Sequence, residues 1–239
     1  MTSSPTSNRS ARRPNSARLI VMARYPEPGR VKTRLGRVVG AATACAIYRA
    51  FVLDLAERLR TLPYRVTWAY WPPTAPFETL LPRARCRPQR GRDLGARLVH
   101  ALAEEIASGS GPVLMIGADA PHVPLHSLTE AADALAGTAD LVVGPAADGG
   151  YYLIGLRALE RRLFSRVPWG GPEVCALTLA RAGSLGLRTH LLPPTFDVDE
   201  AADLDRLRAL LTRGEVTLPR TAALLKRRSL DSSQAPGGH

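Results

Sequence analysis

The sequence predicts a single α/β domain, built as a three-layer α/β/α sandwich around a mostly parallel, mixed central sheet. Three observations support this prediction: strand and helix patterns alternate along the chain, one strand pattern is apolar throughout, and one Asp-Gly turn separates two strand patterns. The length of 239 residues suits one domain of ordinary size. The apolar content of 45% is sufficient for a sizeable core.

The first half of the chain supplies two strands and two helices. We predict a strand over 18–23, followed by a helix whose apolar residues recur at helical spacing from Ile47 to Leu59. A second strand is predicted over 64–70. After a Pro-rich loop, Asp93 is placed to cap the next helix.

The second half contains the strongest strand patterns. Residues 113–116 form a short, fully apolar strand, which is typical of a buried parallel sheet. A helix over 127–135 leads to another apolar strand over 141–143. The Asp148-Gly149-Gly150 turn then precedes a strand over 151–156. This pattern predicts a hairpin inside an otherwise parallel sheet.

A helix over 174–182, a strand over 188–192 and a helix that begins near Asp199 complete the pattern. The predicted boundaries are a disordered basic tail over 1–17, one domain over 18–228 and a disordered tail over 229–239.

Composition excludes several classes of protein. No apolar run reaches the roughly 18 residues that a membrane-spanning helix needs. The three cysteines form no CxxC pair, which favours structural thiols in a reducing compartment, and we expect a cytoplasmic protein. The net charge of +11 is compatible with a nucleic acid, but 5% aromatic residues and the absence of RNP, KH or zinc-finger patterns disfavour that partner.

A basic, Gly-containing loop follows the first strand over 25–34. Ligands of open α/β sheets bind beyond the carboxyl ends of strands, so this loop is a candidate phosphate site. Lysine occurs only at Lys32 and Lys226, which singles out Lys32 within the loop, where we expect it to be exposed. The alternative is a rigid surface connector.

Three acidic sites follow predicted strands. Asp119 comes directly after the buried strand, where a hard cation that bridges diphosphate oxygens would compensate its charge. An acid of the segment 197–199 is placed to meet Asp119 across the sheet. Asp148 is the third, on a turn whose glycines allow a close approach to a ligand. Each has a structural alternative as a turn former, a helix cap or a hairpin residue.

Five motifs occur in order over most of the chain. They are MARYPEPGRVKTRL (22–35), QRGRDLG (89–95), GADAP (117–121), GPAADGGYY (144–152) and DVD (197–199). Together they resemble the bacterial family of arsenosugar-biosynthesis-type glycosyltransferases, from about Leu19 to Leu210. Ala120 stands where we expect a Cys in this pattern, and the motif after the buried strand lacks the Asp-x-Asp of many glycosyltransferases.

The resemblance implies the GT-A fold, a Rossmann-like fold of nucleotide-diphospho-sugar transferases. It also implies that Lys32 and Arg34 neutralise donor phosphates, that Asp119 binds a metal ion and that Asp199 completes the metal site. The candidate donor-binding residues are Arg24, Gly29, Arg30, Lys32, Arg34 and Asp93.

The predicted enzyme is a glycosyltransferase that uses Mg²⁺ or Mn²⁺ and a nucleotide-sugar donor. Asp148 is the candidate catalytic base or orienting group for an unknown small-molecule acceptor. The alternative is a nucleotidyltransferase, such as a guanylyltransferase-like enzyme, that acts on a nucleoside triphosphate.

Overall fold

A seven-stranded mixed sheet forms the centre of the protein. The computed structural model describes residues 17–233, with side chains as far as residue 226. Within these residues the strand order is β3-β2-β1-β4-β6-β5-β7, and β6 runs antiparallel to both of its neighbours. The strands are β1 (Arg18–Arg24), β2 (Arg65–Trp71), β3 (Arg85–Pro88), β4 (Val113–Gly117), β5 (Leu141–Pro145), β6 (Tyr151–Leu156) and β7 (Thr189–Leu191). The predicted mostly parallel sheet with one returning strand is confirmed.

Helices cover both faces of this sheet and complete the predicted three layers. They are α1 (Thr33–Val39), α2 (Ala41–Leu59), α3 (Phe77–Leu80), α4 (Leu94–Ala107), α5 (Leu125–Ala136), α6 (Val174–Ser184), α7 (Ala201–Thr212) and α8 (Pro219–Ser233). Side chains of α2, α5 and α7 pack on one face, and those of α4 and α6 pack on the other. Within residues 17–233, no helix combines the length and the apolar character needed to cross a membrane.

The strand β4 has apolar side chains on both faces of the sheet. Its residues Val113, Leu114, Met115 and Ile116 are at most 3% exposed. Leu114 and Ile116 pack in the core beside α2 and α5, whereas Val113 and Met115 pack in the core beside α4 and α6. Successive side chains of a strand point to opposite faces, so a strand covered on both sides is apolar at every position. The prediction of a buried strand here is confirmed, with β4 parallel to β1 and antiparallel to β6.

The carboxyl ends of β1, β4 and β5 meet at one edge of the sheet. After β7, residues 192–200 cross this edge outside the helices and strands, and we call this segment the strap. The backbone N–H of Val198 donates to the carbonyl of Asp119 at 3.0 Å, and the N–H of Leu35 donates to the carbonyl of Asp199 at 3.1 Å. The strap therefore joins the end of β4 to the start of α1, although these segments are far apart in sequence.

Four elements are absent from the sequence predictions: α1, α3, β3 and α8. The helix α3 lies in the predicted Pro-rich loop, and β3 has four residues without a clear apolar alternation. Residues 229–233, predicted as part of the C-terminal tail, continue α8. Residues 1–16 and 234–239, the remainder of the predicted tails, lie outside the described residues.

The start of α7 also differs from the sequence prediction. The N-cap is Glu200 rather than Asp199, and Glu200 forms a capping box with Asp203. The carboxylate of Asp199 is therefore not used as the helix cap.

We predict that Gly149→Ala destabilises the protein more than Gly170→Ala. Both glycines have positive φ, 89° and 85°, so both substitutions incur the left-handed cost of about 1–2 kcal/mol. Only at Gly149 would the added Cβ also collide with the carbonyl oxygen of Pro172, which belongs to the backbone. Chemical denaturation measures both free energies of unfolding, and equal losses would contradict the prediction.

Candidate active site

A cavity of about 340 Å³ opens at the carboxyl edge of β1 and β4. It lies where the loop after β1 meets the end of β4 and the strap, and we call it the edge cavity. Its lining residues are Arg24, Arg30, Val31, Lys32, Thr33, Arg34, Tyr48, Asp119 and Asp199. Basic side chains and carboxylates therefore share one opening.

Lys32 connects the two carboxylates of the edge cavity. Its ammonium nitrogen lies 2.8 Å from Asp199 Oδ1 and forms a second short ion pair with Asp119 Oδ1. The Lys32 side chain is only 2% exposed, whereas the side chains of Asp119 and Asp199 are 46% and 45% exposed. The expectation that Lys32 is an exposed loop residue is therefore wrong.

The backbone conformation of Lys32 is unusual for a residue other than glycine. Its φ of 47° and ψ of 47° are left-handed, and the residue directly precedes α1. A non-glycine residue in this region costs of order 1–3 kcal/mol and persists only where its surroundings compensate the cost. We attribute the compensation to the ion pairs with Asp119 and Asp199.

Lys32 stays protonated despite its burial. Burial by itself would lower the pKa of the Lys32 ammonium, but Asp119 and Asp199 outweigh that effect and the pKa is raised. The edge cavity therefore contains a permanent positive charge at neutral pH, held between two acids.

Asp197, on the strap, is the third acid of this group, and it is half-buried. Burial and the neighbouring carboxylate of Asp119 raise the pKa of Asp197 to about 7, against the opposing effect of Lys32. Asp199 and Asp148 raise it further, which places both carboxylates within electrostatic range. Carboxylates from two separate segments, the end of β4 and the strap, thus lie around the ammonium of Lys32.

The acidic group around Lys32 can be compared with the ligand sets of metal sites. Among the described side chains, no group of three or more His, Cys, Asp or Glu residues is arranged to hold a metal ion. Asp119 and Asp199 nevertheless converge on one cationic point, which Lys32 supplies. Mg²⁺ is usually bound through one or two carboxylates and completes its shell with water and substrate phosphates. The carboxylate pair therefore fits Mg²⁺ or Mn²⁺ together with a phosphate-bearing ligand.

The guanidinium groups lie at the rim of the edge cavity. Arg24, Arg30 and Arg34 are exposed. Arg24 donates to the carbonyl of Arg30 at 3.1 Å, and Arg34 forms a loose ion pair with Glu200 at 3.5 Å. Gly29 has a φ of 76°, which allows the loop to turn before these residues.

Asp148 and Asp93 do not line the edge cavity. Asp148 is exposed on the hairpin turn, where its Oδ1 accepts a hydrogen bond from the N–H of Gly150 at 2.9 Å. Asp93 Oδ1 accepts from the N–H of Ala96 at 2.8 Å and so caps α4, as the sequence predicts for a helix start. Of the nine predicted site residues, six line the edge cavity and Gly29 lies on its loop, whereas Asp148 and Asp93 lie elsewhere.

Tyr48 is a cavity residue that the sequence analysis does not single out. Its buried hydroxyl accepts a hydrogen bond from the N–H of Arg24 at 2.9 Å, and its ring centroid lies 5.7 Å from the Lys32 nitrogen. Burial and the charge of Asp119 raise the pKa of Tyr48, so the phenol remains neutral. Its position in α2, among apolar residues of the core stripe, gives no sequence signal of this role.

Arg97 is a second residue that the sequence analysis does not single out. It lies within electrostatic range of Arg24, which lines the edge cavity. Its guanidinium lies 4.5 Å from the ring centroid of Trp71, and its Nε is buried without a hydrogen-bond partner in the described residues. Burial and the nearby charge of Arg24 lower the pKa of Arg97. A positive charge in the first turn of a helix interacts unfavourably with the helix dipole. The position of Arg97 in the first turn of α4 is therefore the sequence feature that could have identified this residue.

We predict that Lys32→Met lowers the free energy of unfolding by about 1–2 kcal/mol, since it leaves two carboxylates facing each other without a counter-charge. In a double-mutant cycle with Asp119→Asn, the losses should be non-additive by about 1 kcal/mol. Lys226→Met is the matched control, because Lys226 is exposed, and its effect should stay within about 0.5 kcal/mol. Additive losses in the cycle would show that the ion pair contributes nothing.

Residues 53–171 match the family described as "Uncharacterized protein conserved in bacteria (DUF2064)". No protein with curated annotation matches the chain in sequence. Two solved structures share the fold at low identity: CMP:2-keto-3-deoxy-manno-octonic acid synthetase complexed with CTP, and a cytidylyltransferase from Leptospira borgpetersenii.

For the synthetase the TM-score is 0.54 at 15% identity, with 84% of this chain and 100% of that chain covered. For the cytidylyltransferase it is 0.56 at 13% identity, with 94% and 98% covered. Likenesses at this identity show the fold alone.

A much closer relative is a protein from Desulfovibrio desulfuricans, described as a "putative nucleotide-diphospho-sugar transferase". It is 34% identical to this chain, with a TM-score of 0.85 and with 90% of this chain and 96% of that chain covered. The predicted nucleotide-diphospho-sugar transferase fold is therefore confirmed, whereas the arsenosugar-type subgroup stays a prediction. With this relative and the match over residues 53–171, the chain belongs to the bacterial family DUF2064.

Proposed function

We propose that this protein is a glycosyltransferase that takes a sugar from a nucleoside-diphosphate donor and transfers it to a small-molecule acceptor. The observation that carries the proposal is the edge cavity, where a basic loop meets two converging carboxylates at the carboxyl edge of a nucleotide-diphospho-sugar transferase fold. This is the place where ligands of open α/β sheets bind. The description of the relative from Desulfovibrio desulfuricans supports the same class of donor.

The cationic residues of the cavity are assigned to the donor diphosphate. Arg24, Arg30 and Arg34 are exposed at the rim, and their planar guanidinium groups suit bidentate contacts with phosphate oxygens. Lys32 lies deeper and supplies a compact charge. Electrostatic attraction in a partly closed cavity is stronger than in bulk water, so these groups favour an anionic donor.

Asp119 and Asp199 are assigned to the divalent cation, Mg²⁺ or Mn²⁺. When bound, such a cation neutralises negative charge on the departing nucleoside diphosphate. The two carboxylates contact the Lys32 ammonium, and they would be the groups that hold the cation; Lys32 would then be available to a phosphate oxygen. Lys32 would therefore contact the two acids when no ligand is bound and a donor phosphate when the donor is bound.

Asp148 is assigned to the acceptor. Its exposed side chain lies on the turn between β5 and β6, within electrostatic range of Asp197 on the strap. The hydrogen bond from the N–H of Gly150 fixes one carboxylate oxygen. The other oxygen is then available to orient an acceptor hydroxyl or to accept its proton.

A nucleotidyltransferase is the second candidate function, and the charge of the edge cavity favours it. Four cationic side chains line the cavity: Arg24, Arg30, Lys32 and Arg34. A nucleoside triphosphate carries more negative charge than the diphosphate of a nucleotide sugar, so this number of cations suits a triphosphate well. In that reaction the same residues would hold a triphosphate, and pyrophosphate would leave.

Product analysis separates the two candidates. With Mn²⁺ or Mg²⁺ present, we expect release of a nucleoside diphosphate from a nucleotide sugar when acceptor mixtures are supplied, as measured by anion-exchange chromatography. Pyrophosphate release from a nucleoside triphosphate would instead establish the second candidate. If calorimetry detects no binding of nucleotide sugar or triphosphate below about 1 mM with either cation, both candidates are refuted.

We predict that Lys32→Ala weakens nucleotide binding by about 1.5–3 kcal/mol, the range for hydrogen bonds to charged groups. Lys32→Arg should recover only part of this loss, because a planar fork cannot replace a compact ammonium in a buried position. Calorimetry well below the unfolding temperature of each variant gives the affinities, and Lys226→Ala is the matched control. Unchanged affinity in folded Lys32→Ala would remove Lys32 from the donor site.

A further inference from the structure

A second cavity, of about 680 Å³, lies beside the strap and shares no lining residue with the edge cavity. We call it the strap cavity. Thr195 and Phe196 of the strap line it, whereas Asp199 of the strap lines the edge cavity. The remaining lining residues come mainly from the end of α2, the start of α5 and α7: Arg58, His122, Pro124, Leu125, His126, Ala147, Pro194, Arg206, Leu210, Glu215 and Val216.

The charge of the strap cavity is predominantly positive. The Arg58 guanidinium donates to the carbonyls of Pro121 and Val123, and it forms no ion pair within the described residues. The Arg206 guanidinium lies 3.9 Å from the ring centroid of Phe196. Its nearest carboxylate oxygen, on Asp203, is 3.8 Å away, so this ion pair is loose.

Among the lining residues, Glu215 is the only acid, and its carboxylate is already paired with Arg213 outside the cavity. Two guanidinium groups therefore face the strap cavity without a close carboxylate partner there.

His122 is the buried polar group of this cavity. It is 6% exposed, and its ring lies 4.2 Å from that of Phe196. Its Nε2 is 3.3 Å from Thr195 Oγ1, but its Nδ1 is buried without a hydrogen-bond partner in the described residues. A buried polar atom without a partner is costly and calls for an explanation such as a ligand.

The electrostatics around His122 agree with a cation-rich cavity. Burial and the charges of Arg58 and Arg206 together lower the pKa of His122 to about 4, against a smaller opposing effect of Asp203. The imidazole is therefore neutral at pH 7 and retains one N–H donor.

The first turn of α5 adds backbone donors. This helix has 12 residues, its N-cap is Pro124, and no side chain caps its free N–H groups. Pro124, Leu125 and His126, at the start of the helix, all line the strap cavity. The N-terminus of a helix favours a negative charge.

We propose that the strap cavity binds the phosphate group of a small molecule, between Arg58, Arg206, His122 and the first turn of α5. The guanidinium groups neutralise the phosphate charge, and the start of α5 and His122 supply hydrogen-bond donors. The occupant contacts Thr195 and Phe196 of the strap. This site is separate from the donor site and does not depend on which group the enzyme transfers.

The test uses His122 as a local probe of inorganic phosphate binding. In protein labelled with ¹⁵N-histidine, the imidazole signal of His122 is identified by its loss in His122→Gln. We expect this signal to shift with phosphate and to saturate at concentrations of about 1 mM or below, and the pKa of His122 to rise because the anion favours the imidazolium. No saturable shift up to about 20 mM would overturn the proposal.

Two variants show where the phosphate binds. Arg206→Gln should weaken the phosphate affinity read at His122 about tenfold or more, the effect of losing a charged hydrogen bond. Arg208→Gln is the matched control, because Arg208 lies on the same helix, pairs with Asp205 at 2.6 Å and does not line the cavity. Arg30→Gln, in the edge cavity, should leave the His122 response unchanged. Equal responses in Arg206→Gln and Arg208→Gln would overturn the proposal.

A second titration, with glycerol 3-phosphate, distinguishes a phosphomonoester from free inorganic phosphate as the occupant. The cavity of about 680 Å³ leaves room for the organic part of a phosphomonoester, so we expect the ester to bind more tightly than the free ion. Equal affinities would identify inorganic phosphate as the occupant. Failure of both ligands to shift His122 would overturn the site while leaving the proposed function of the edge cavity untouched.

Discussion

The ion pairs between the Lys32 ammonium and the carboxylates of Asp119 and Asp199 are the constraint on which the candidate site depends. They join the loop after β1, the end of β4 and the strap, which are distant in sequence. The ammonium is buried and the acids are only half exposed, so the attraction is screened less than a surface pair would be. The left-handed backbone at Lys32 is the local cost of this arrangement.

The strap contributes lining residues to both cavities. Phe196 and Val198 are buried in the core beside α2 and α5, whereas Asp197 and Asp199 lie in the acidic group around Lys32. One short segment thus contributes to the edge cavity through Asp199 and to the strap cavity through Phe196.

The fold by itself does not decide between sugar transfer and nucleotidyl transfer, because one sheet architecture hosts both types of enzyme. The choice rests on charge and space around the edge cavity. Acids surround Lys32 in the interior, and guanidinium groups lie at the rim. This separation of charge suits a ligand that brings phosphates and a divalent cation together.

The sequence by itself determined six of the seven strands and the main helices, because apolar periodicity is a local property and β4 shows it clearly. It also located the basic loop and the acids at the carboxyl ends of strands. Only the tertiary structure decided that Lys32 is buried between Asp119 and Asp199, that Asp93 caps α4, and that Tyr48 lines the cavity. These facts depend on contacts between segments that are distant in the chain. The direction in which a side chain points at such a contact produces no periodic pattern in the sequence.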